Sequence, residues 1–244
     1  MKFEGKKIGI IGLGKSGYWA SKLAKSIDCN VFASDSNSNL DLSIIDDLKN
    51  IGVEVETGEH SNRLLDSDII IKSPGISNDI EILKKLEKSN TQIVSEIEFA
   101  GMISNVNNIC ITGTNGKTTT VSLITKILSE ELNVLKSGNI GIPFSQIVFE
   151  HKLYKDNDID YCILELSSFQ LEHCSHLKKE VSAFINISTD HMDRYDNFDD
   201  YFNTKLKVFE NSKHCFFNND DKILRERMIK NKSNKESFST KKEI

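Results

Sequence analysis

The chain has 244 residues, 38% of them apolar and 27% charged, with 36 acidic against 31 basic side chains and a net charge of −5. That length and composition suit a globular protein with two modest cores, and the acidic balance with dispersed lysines excludes a generic polyanion binder, so no nucleic-acid partner is expected. No secretory leader pattern opens the chain and no apolar run approaches the roughly 20 residues that cross a bilayer, so the expectation is a cytoplasmic protein with no membrane partner.

Lys7-Ile8-Gly9-Ile10-Ile11 predicts a strand, Gly12-Leu13-Gly14-Lys15-Ser16-Gly17 a glycine turn, and Trp19, Leu23 and Ile27 a helix after it. A second strand from Asn30 ends at Asp35, close to where a dinucleotide fold places its ribose-binding acid. Taken alone, this half points to NAD. Lys15 and Ser16 at the tip either meet a diphosphate or face solvent. A short helix over 44–49, strands over 53–55 and 67–72, an amphipathic helix over 80–88 and a strand over 91–95 follow. Repeated strand–helix units imply a parallel, doubly wound sheet. Ser73-Pro74-Gly75-Ile76 sits at a strand's carboxyl end, where a ligand contact and a plain turn explain it equally. The first domain is expected to span 1–95, and 96–103 to form a helix leading into a second domain, 96–244.

The strand 108–112 delivers Gly113-Thr114-Asn115-Gly116-Lys117-Thr118-Thr119, which has the makings of a phosphate cradle. Glycines let backbone N–H groups close around phosphate oxygens, the following helix aims its positive end at them, Lys117 adds a point charge and Thr118 can ligate Mg²⁺. The strict P-loop pattern has glycine where Ile111 stands, so this is a variant. Its helix is expected from Lys117 to about Leu132, with Val121, Ile124, Ile127, Leu128 and Leu132 facing the sheet. After a short strand over 134–136, Asn139 in a glycine-rich loop either meets a ligand or serves the turn. The buried strand 160–165 ends in Glu165, the second half of a Mg²⁺-nucleotide site when it follows a P-loop.

Beyond the strand 181–187 lies His191, for which a metal, a substrate and a purely structural role all stay open. A helix over 197–211 is expected to bury Phe198, Phe202, Leu206 and Phe209, with Lys205 snorkelling at its edge. A strand over 213–218 and a helix over 220–230 come next, and 231–244 is polar with no closing element expected. The five unevenly spaced cysteines predict reduced, mostly buried thiols, and His173-Cys174-Ser175-His176 lacks the second ligand pair of a zinc site.

Together, Gly113–Thr119, Glu165-Leu166-Ser167-Ser168-Phe169-Gln170-Leu171 and Asp190-His191-Met192-Asp193-Arg194-Tyr195 resemble the Mur ligase family of peptidoglycan synthesis, over essentially the whole chain. The last two strings, with Gly12–Gly17, are similar to the branch that adds D-glutamate. The resemblance implies an α/β chain: a Rossmann-like parallel-sheet N-terminal domain that holds UDP instead of NAD, then an incomplete P-loop ATPase-type central domain, the family's third domain being absent. It implies a monomeric ligase with ATP and Mg²⁺ as cofactors, joining D-glutamate to UDP-N-acetylmuramoyl-L-alanine through an acyl phosphate.

By the same resemblance Lys15, Ser16, Asp35, Ser36 and Ser73 line the uridine diphosphate, while Asn139, Gln170 and His191 face the muramoyl portion. Gly113, Thr114, Asn115, Gly116, Lys117, Thr118 and Thr119 bind the ATP phosphates. Thr118 and Glu165 hold one Mg²⁺ and His191 a second. Lys205 matches a lysine that CO₂ carbamylates into a metal-ligating anion, against the snorkelling reading. Lys117, His191 and Lys205 are the catalytic candidates. Because family members continue past this point, the 244-residue chain is expected to bind nucleotides but to lack ligase activity alone. Two rivals remain: an NAD-dependent oxidoreductase built on the first glycine turn, and a noncatalytic nucleotide- or UDP-sugar-binding module.

Overall fold

The computed structural model describes residues 3–230 and 235–241. They fall into two compact units, Met1–Ser104 with Pro143–Lys155, and Asn105–Ile142 with Asp156–Ile244. In chain order the first unit runs β1 (Lys7–Ile11), α1 (Lys15–Ser26), β2 (Asn30–Asp35), α2 (Leu42–Asn50), β3 (Glu54–Thr57), β4 (Ile69–Lys72), α3 (Glu81–Lys88), β5 (Gln92–Ser95) and α4 (Glu96–Ile103). The second continues with β6 (Asn107–Thr112), α5 (Lys117–Leu128) and β7 (Val134–Gly138); α6 (Phe144–Glu150) returns to the first unit. Then come β8 (Tyr161–Glu165), α7 (Ser168–Leu171), β9 (Lys179–Phe184), α8 (Phe198–Leu206), β10 (Ser212–Asn218), α9 (Lys222–Lys230) and β11 (Glu236–Phe238).

Both sheets are parallel throughout, in the orders β3-β2-β1-β4-β5 and β11-β10-β9-β6-β8-β7. Parallel strands are covered on both faces, so their sequences are apolar runs without alternation. Ile8, Ile10, Ile11, Ile69, Ile70 and Ile71 in the first unit and Cys110, Ile111, Cys162, Ile163 and Leu164 in the second are buried accordingly. Within the sheets β1 lies between β2 and β4 and β6 between β8 and β9, so the strand order reverses beside each, and the crevice at that carboxyl end is where open α/β sheets take ligands. Both glycine turns start there.

Helix α3 buries Ile82, Leu83 and Leu86 against Ile11, Leu64 and Ile70, matching its apolar face. The four cysteines Cys29, Cys110, Cys162 and Cys174 are buried and free, and Cys215 is half-buried and free.

Several expectations need correction. The boundary expected after Ser95 is displaced: α4 belongs to the first unit, where Ile97, Phe99 and Ala100 are buried and Phe99 packs edge-on to Phe3 at 5.7 Å. Residues 143–155 rejoin that unit as well. The amide of Ser145 donates to the buried Glu96 carboxylate at 2.5 Å, and Trp19 lies 5.8 Å from Phe149. Burial pushes the Glu96 carboxyl up to about 7 against the opposing bonds from Ser145.

Helix α5 ends at Leu128, one turn earlier than expected, and Ile127 is 58% exposed while Val121 is buried. The apolar spacing was wide enough to circle half the helix, and the sheet covers less of it. Helix α8 stops at Leu206 and tightens into a 3-10 turn over Lys207–Phe209; Phe202 and Phe209 are buried, but Phe198 and Leu206 only half so. Lys205 does not snorkel: it is 2% exposed. The stretch 231–244 does contain an element, β11, paired with β10; residues 231–234 and 242–244 lie outside the described residues. No helix among the described residues is long and apolar enough to cross a membrane.

Candidate functional site

In the second unit β6 ends at Thr112 and the loop Gly113–Gly116 feeds α5, with Gly116 at φ +76° as its N-cap. Glycine is required at 113 because a Cβ there would lie 2.6 Å from Ile185 Cγ1 and 3.3 Å from the Asn186 carbonyl. Asn186, just past β9, ties the loop down: its Oδ1 accepts from Thr114 N–H at 3.1 Å and Asn115 N–H at 2.8 Å, and its Nδ2 donates to the Asn115 carbonyl at 2.8 Å. Asn186 was not singled out in the sequence. The signal for it is a polar amide directly after an apolar strand, readable only once β9 is known to lie beside β6.

Two ammonium groups converge on one carbonyl. Lys117 Nζ donates to Gly113 O at 3.0 Å and Thr114 O at 2.8 Å, and Lys205 Nζ donates to the same Gly113 O at 2.8 Å. Burial lowers the Lys117 ammonium, with Glu165 and Asp190 opposing. Lys205 is pushed down to about 7, chiefly by burial and then by the charge of Lys117, against Asp190 and Glu165. Its ammonium lies 5.0 Å from the centre of the Tyr201 ring, whose hydroxyl is 3.2 Å from Thr114 Oγ1.

Glu165, 2% exposed at the end of β8, accepts from Thr118 Oγ1 at 2.6 Å and from Asn139 Nδ2 at 3.1 Å. Asn139 is delivered by Gly138, at φ +103°, where a Cβ would stand 2.2 Å from the Glu165 carbonyl. Thr118 and Glu165 are hard oxygen donors already aligned with each other, which fits an ion such as Mg²⁺. The imidazole of His191, a softer match to that ion, stands at the mouth with its side chain 44% exposed and its backbone at φ +56°. Its ring centre is 4.8 Å from Phe169 and its Nε2 is 3.5 Å from Asp190 Oδ2. Thr114, Lys117, Asn139, His191 and Lys205 line one cavity of about 190 Å³. Gln170 is buried, and its carbonyl completes a capping box by accepting from Ser167 N–H at 2.9 Å and Ser167 Oγ at 3.0 Å, which leaves only its Nε2 for other work.

The first unit's glycine turn is built differently. Gly12 has φ +88°, and a Cβ on Gly17 would lie 1.9 Å from Gly12 O, so turn and helix meet backbone to backbone. Ser73 donates to Gly12 O at 2.8 Å from beneath. Asp35 accepts from Leu13 N–H at 2.6 Å through Oδ2 and from Asn37 N–H at 2.8 Å through Oδ1, so both its oxygens hold the loops. Lys15 is exposed at the start of α1, Ser16 is half-buried and Ser36 is exposed.

A parallel α/β fold with a lysine-bearing glycine loop, a hydroxyl in the next helical position and a strand-end carboxylate opposite defines a phosphate-binding α/β protein of the P-loop kind. Sequence comparison narrows this. The profile of the Mur ligase middle domain matches residues 111–244, more than half of the chain, and that of the MurD N-terminal domain matches residues 7–82. The chain belongs to the Mur ligase family.

A UDP-N-acetylmuramoylalanine–D-glutamate ligase of Bacteroides fragilis is 40% identical over 235 residues, covering 92% of this chain and 50% of that protein. The enzyme of the same name from Christiangramia forsetii is 38% identical over 248 residues, covering 98% and 54%. The chain thus spans about half the length of the curated relatives it matches. Among solved structures, a murein peptide ligase from Psychrobacter arcticus superposes with a TM-score of 0.60 at 17% identity, covering 96% of this chain and 53% of that one. A UDP-N-acetylmuramate–alanine ligase from Thermotoga maritima gives 0.54 at 21%, covering 97% and 53%. At those identities the structural likeness concerns the fold.

Proposed function

We propose that this chain carries the UDP-sugar-binding and phosphoryl-donor parts of an ATP-dependent ligase that adds D-glutamate to UDP-N-acetylmuramoyl-L-alanine. The observation that carries the reading is the 2.6 Å contact between Thr118 and Glu165, Thr118 directly following Lys117, which lines one cavity with Lys205 and His191. The names of the relatives support the choice of amino acid and sugar nucleotide.

The reaction sets one anion against another, since the γ-phosphoryl of ATP must reach the L-alanine carboxylate. A carboxylate oxygen bonds to phosphorus and the bond to the β,γ-bridging oxygen breaks, leaving ADP and an acyl phosphate. The amine of D-glutamate then attacks the carbonyl carbon, a tetrahedral intermediate collapses, inorganic phosphate leaves and the nitrogen loses its proton. Gly113 to Thr119 surround the phosphates with N–H groups, and Lys117 exchanges its bonds to Gly113 and Thr114 carbonyls for phosphate oxygens. Thr118 and Glu165 hold the Mg²⁺, which supplies charge neutralisation of the transferring group when bound. His191 takes a second ion or the muramoyl portion from the cavity that Asn139 lines with it, and Asn139 and Gln170 each offer an amide N–H group.

Lys205 is suited to carbamylation because its amine is enclosed and its ammonium is opposed by both burial and Lys117. The neutral amine forms an N–C bond to CO₂ and releases a proton, turning a cation into an anion among metal ligands. In the first unit the glycine turn, Lys15, Ser16, Ser36 and Ser73 take the uridine diphosphate, and Asp35 acts by holding the turn in shape.

Titration calorimetry with UDP-N-acetylmuramoyl-L-alanine, Mg-ATP and NAD tests the reading. Binding of the sugar nucleotide, with no heat from NAD, is expected. Tight NAD binding without the sugar nucleotide would instead establish a dinucleotide enzyme, and Mg-ATP binding without the sugar nucleotide a nucleotide module.

A further inference from the structure

The carboxyl edge of the first sheet carries a polar network that none of these roles uses. Ser34, fully buried at the penultimate position of β2, sets its hydroxyl 2.9 Å from Glu56 Oε1, 2.9 Å from the Glu59 carbonyl and 2.8 Å from His60 Nδ1. Glu56 is its register partner on β3, and the same Oε1 accepts from Ser61 N–H at 2.9 Å. Gly58, at φ +93°, turns the chain directly after β3 and its N–H bonds to the Asp35 carbonyl at 2.8 Å. That turn brings His60 back to the end of β2.

A hydroxyl owns a single hydrogen, and two of the three neighbours of Ser34 Oγ can only accept it. The Glu59 carbonyl is one. Glu56 is the other: burial alone would raise its carboxyl, but the bonds from Ser61 and Ser34 outweigh this and hold it below the ordinary value, so it is an anion at neutral pH. The remaining contact closes only if His60 Nδ1–H donates into the Ser34 oxygen. The neutral ring then carries its lone pair on Nε2, which has no hydrogen-bond partner among the described residues. His60 is half-buried, and the charge of Asp35 reaches it. Asp35 sits where this fold places a nucleoside, yet both of its oxygens are committed to backbone N–H groups.

We propose that His60 is a specificity-determining residue of the nucleotide site in the first unit, its Nε2 accepting a hydrogen bond from a donor at the nucleoside end of the ligand. Ser34 and Glu56 serve it by fixing the tautomer. The inference rests on the reading of this unit as a uridine-nucleotide site. The donor is either the ring N–H of uracil, which cytosine lacks, or a ribose hydroxyl. Burial lowers the ring's titration below the ordinary histidine value, and the carboxylates of Asp35 and Glu56 oppose this without overcoming it, Arg63 acting on Glu56 from the following turn. At neutral pH the acceptor is therefore present, and acid removes it by protonating Nε2.

The test is calorimetry of the purified protein with UDP, CDP and 2′-deoxy-UDP, for wild type and for His60→Asn and His60→Gln. Asparagine keeps a donor near the Nδ1 position and loses the acceptor, whereas glutamine offers an amide oxygen near Nε2. Wild type is expected to prefer UDP over CDP or over 2′-deoxy-UDP by about tenfold, the value of one hydrogen bond, and His60→Asn to erase that preference by losing affinity for UDP alone. His60→Gln should restore part of it, and the wild-type preference should fade in acid while that of His60→Gln does not. An equal loss for all three ligands in His60→Asn would mean a structural role and overturn the proposal, as would a preference unchanged by the substitution or missing from wild type. If wild type binds UDP-N-acetylmuramoyl-L-alanine but shows no such preference, the inference alone fails; if it binds no uridine nucleotide, the reading of the unit fails and takes the inference with it.

Discussion

The two glycine turns of this chain follow central strands of parallel sheets and open helices, yet they are furnished in opposite ways. Around Gly12–Gly17 the backbone is held by Ser73 and Asp35, and Gly17 touches Gly12 O with no room for a methyl group. Around Gly113–Thr119 two lysines line one cavity and donate to the same carbonyl, the buried Glu165 carboxylate holds Thr118, and burial lowers the proton affinity of both ammonium groups. A turn that has only to present N–H groups to a ligand can be closed by neutral packing and one fixed acid. A turn that must neutralise moving charge holds cations in reserve, and the carbonyls of its own loop keep those cations in place. On the function proposed above, the same local grammar serves a holding site and a reacting site, and the surrounding charges tell them apart.

The sharpest way to break this contrast is Lys117→Ala. A charge-assisted contact is worth about 1.5–3 kcal/mol, so Mg-ATP affinity should fall more than tenfold while UDP-sugar binding stays intact. Calorimetry with both ligands on one variant reads the two units separately; near-normal Mg-ATP affinity in a folded variant would remove the role proposed for the second turn.

Glu96 probes a buried acid of the first unit that anchors α6 and not the glycine turn. Its carboxyl is raised from 4.5 to about 7, so the folded protein binds a proton that the unfolded chain has released. Stability should therefore decline as pH rises from about 4.5 to about 7 and level off above, by on the order of 3 kcal/mol. Glu96→Gln should flatten that slope in urea unfolding followed at several pH values, leaving Mg-ATP binding unchanged.

Gly17→Ala should lower stability by about 1–3 kcal/mol, because the 1.9 Å approach to Gly12 O forces α1 away from the turn. Thermal unfolding measures this, and loss of UDP-sugar affinity should accompany it. At the small end, Val121→Ala should cost about 2 kcal/mol and Ile127→Ala less than about 0.5 kcal/mol, two apolar residues of α5 separated only by which side meets the sheet.

Local rules account for what the sequence alone determined. Apolar runs of strand length, glycines where φ turns positive or backbones touch, and amphipathic spacing such as that of Ile82, Leu83 and Leu86 announce two parallel α/β units and both turns. The pairing of Thr118 with Glu165 was also legible, since a hydroxyl after the loop lysine and an acid at a strand end are a recognisable combination even 47 residues apart. Tertiary structure decided the rest. Lys205 changes from a surface cation to an enclosed amine because its Nζ meets a carbonyl 92 residues away, and helix periodicity holds no record of that partner. Asn186 clamps the loop from 71 residues off, and residues 143–155 leave the second sheet for the first because Glu96, 49 residues before Ser145, is buried there waiting for a donor. Periodicity and turn chemistry act over a few residues, whereas burial, charge convergence and proton affinity are sums over neighbours that only the folded chain brings together.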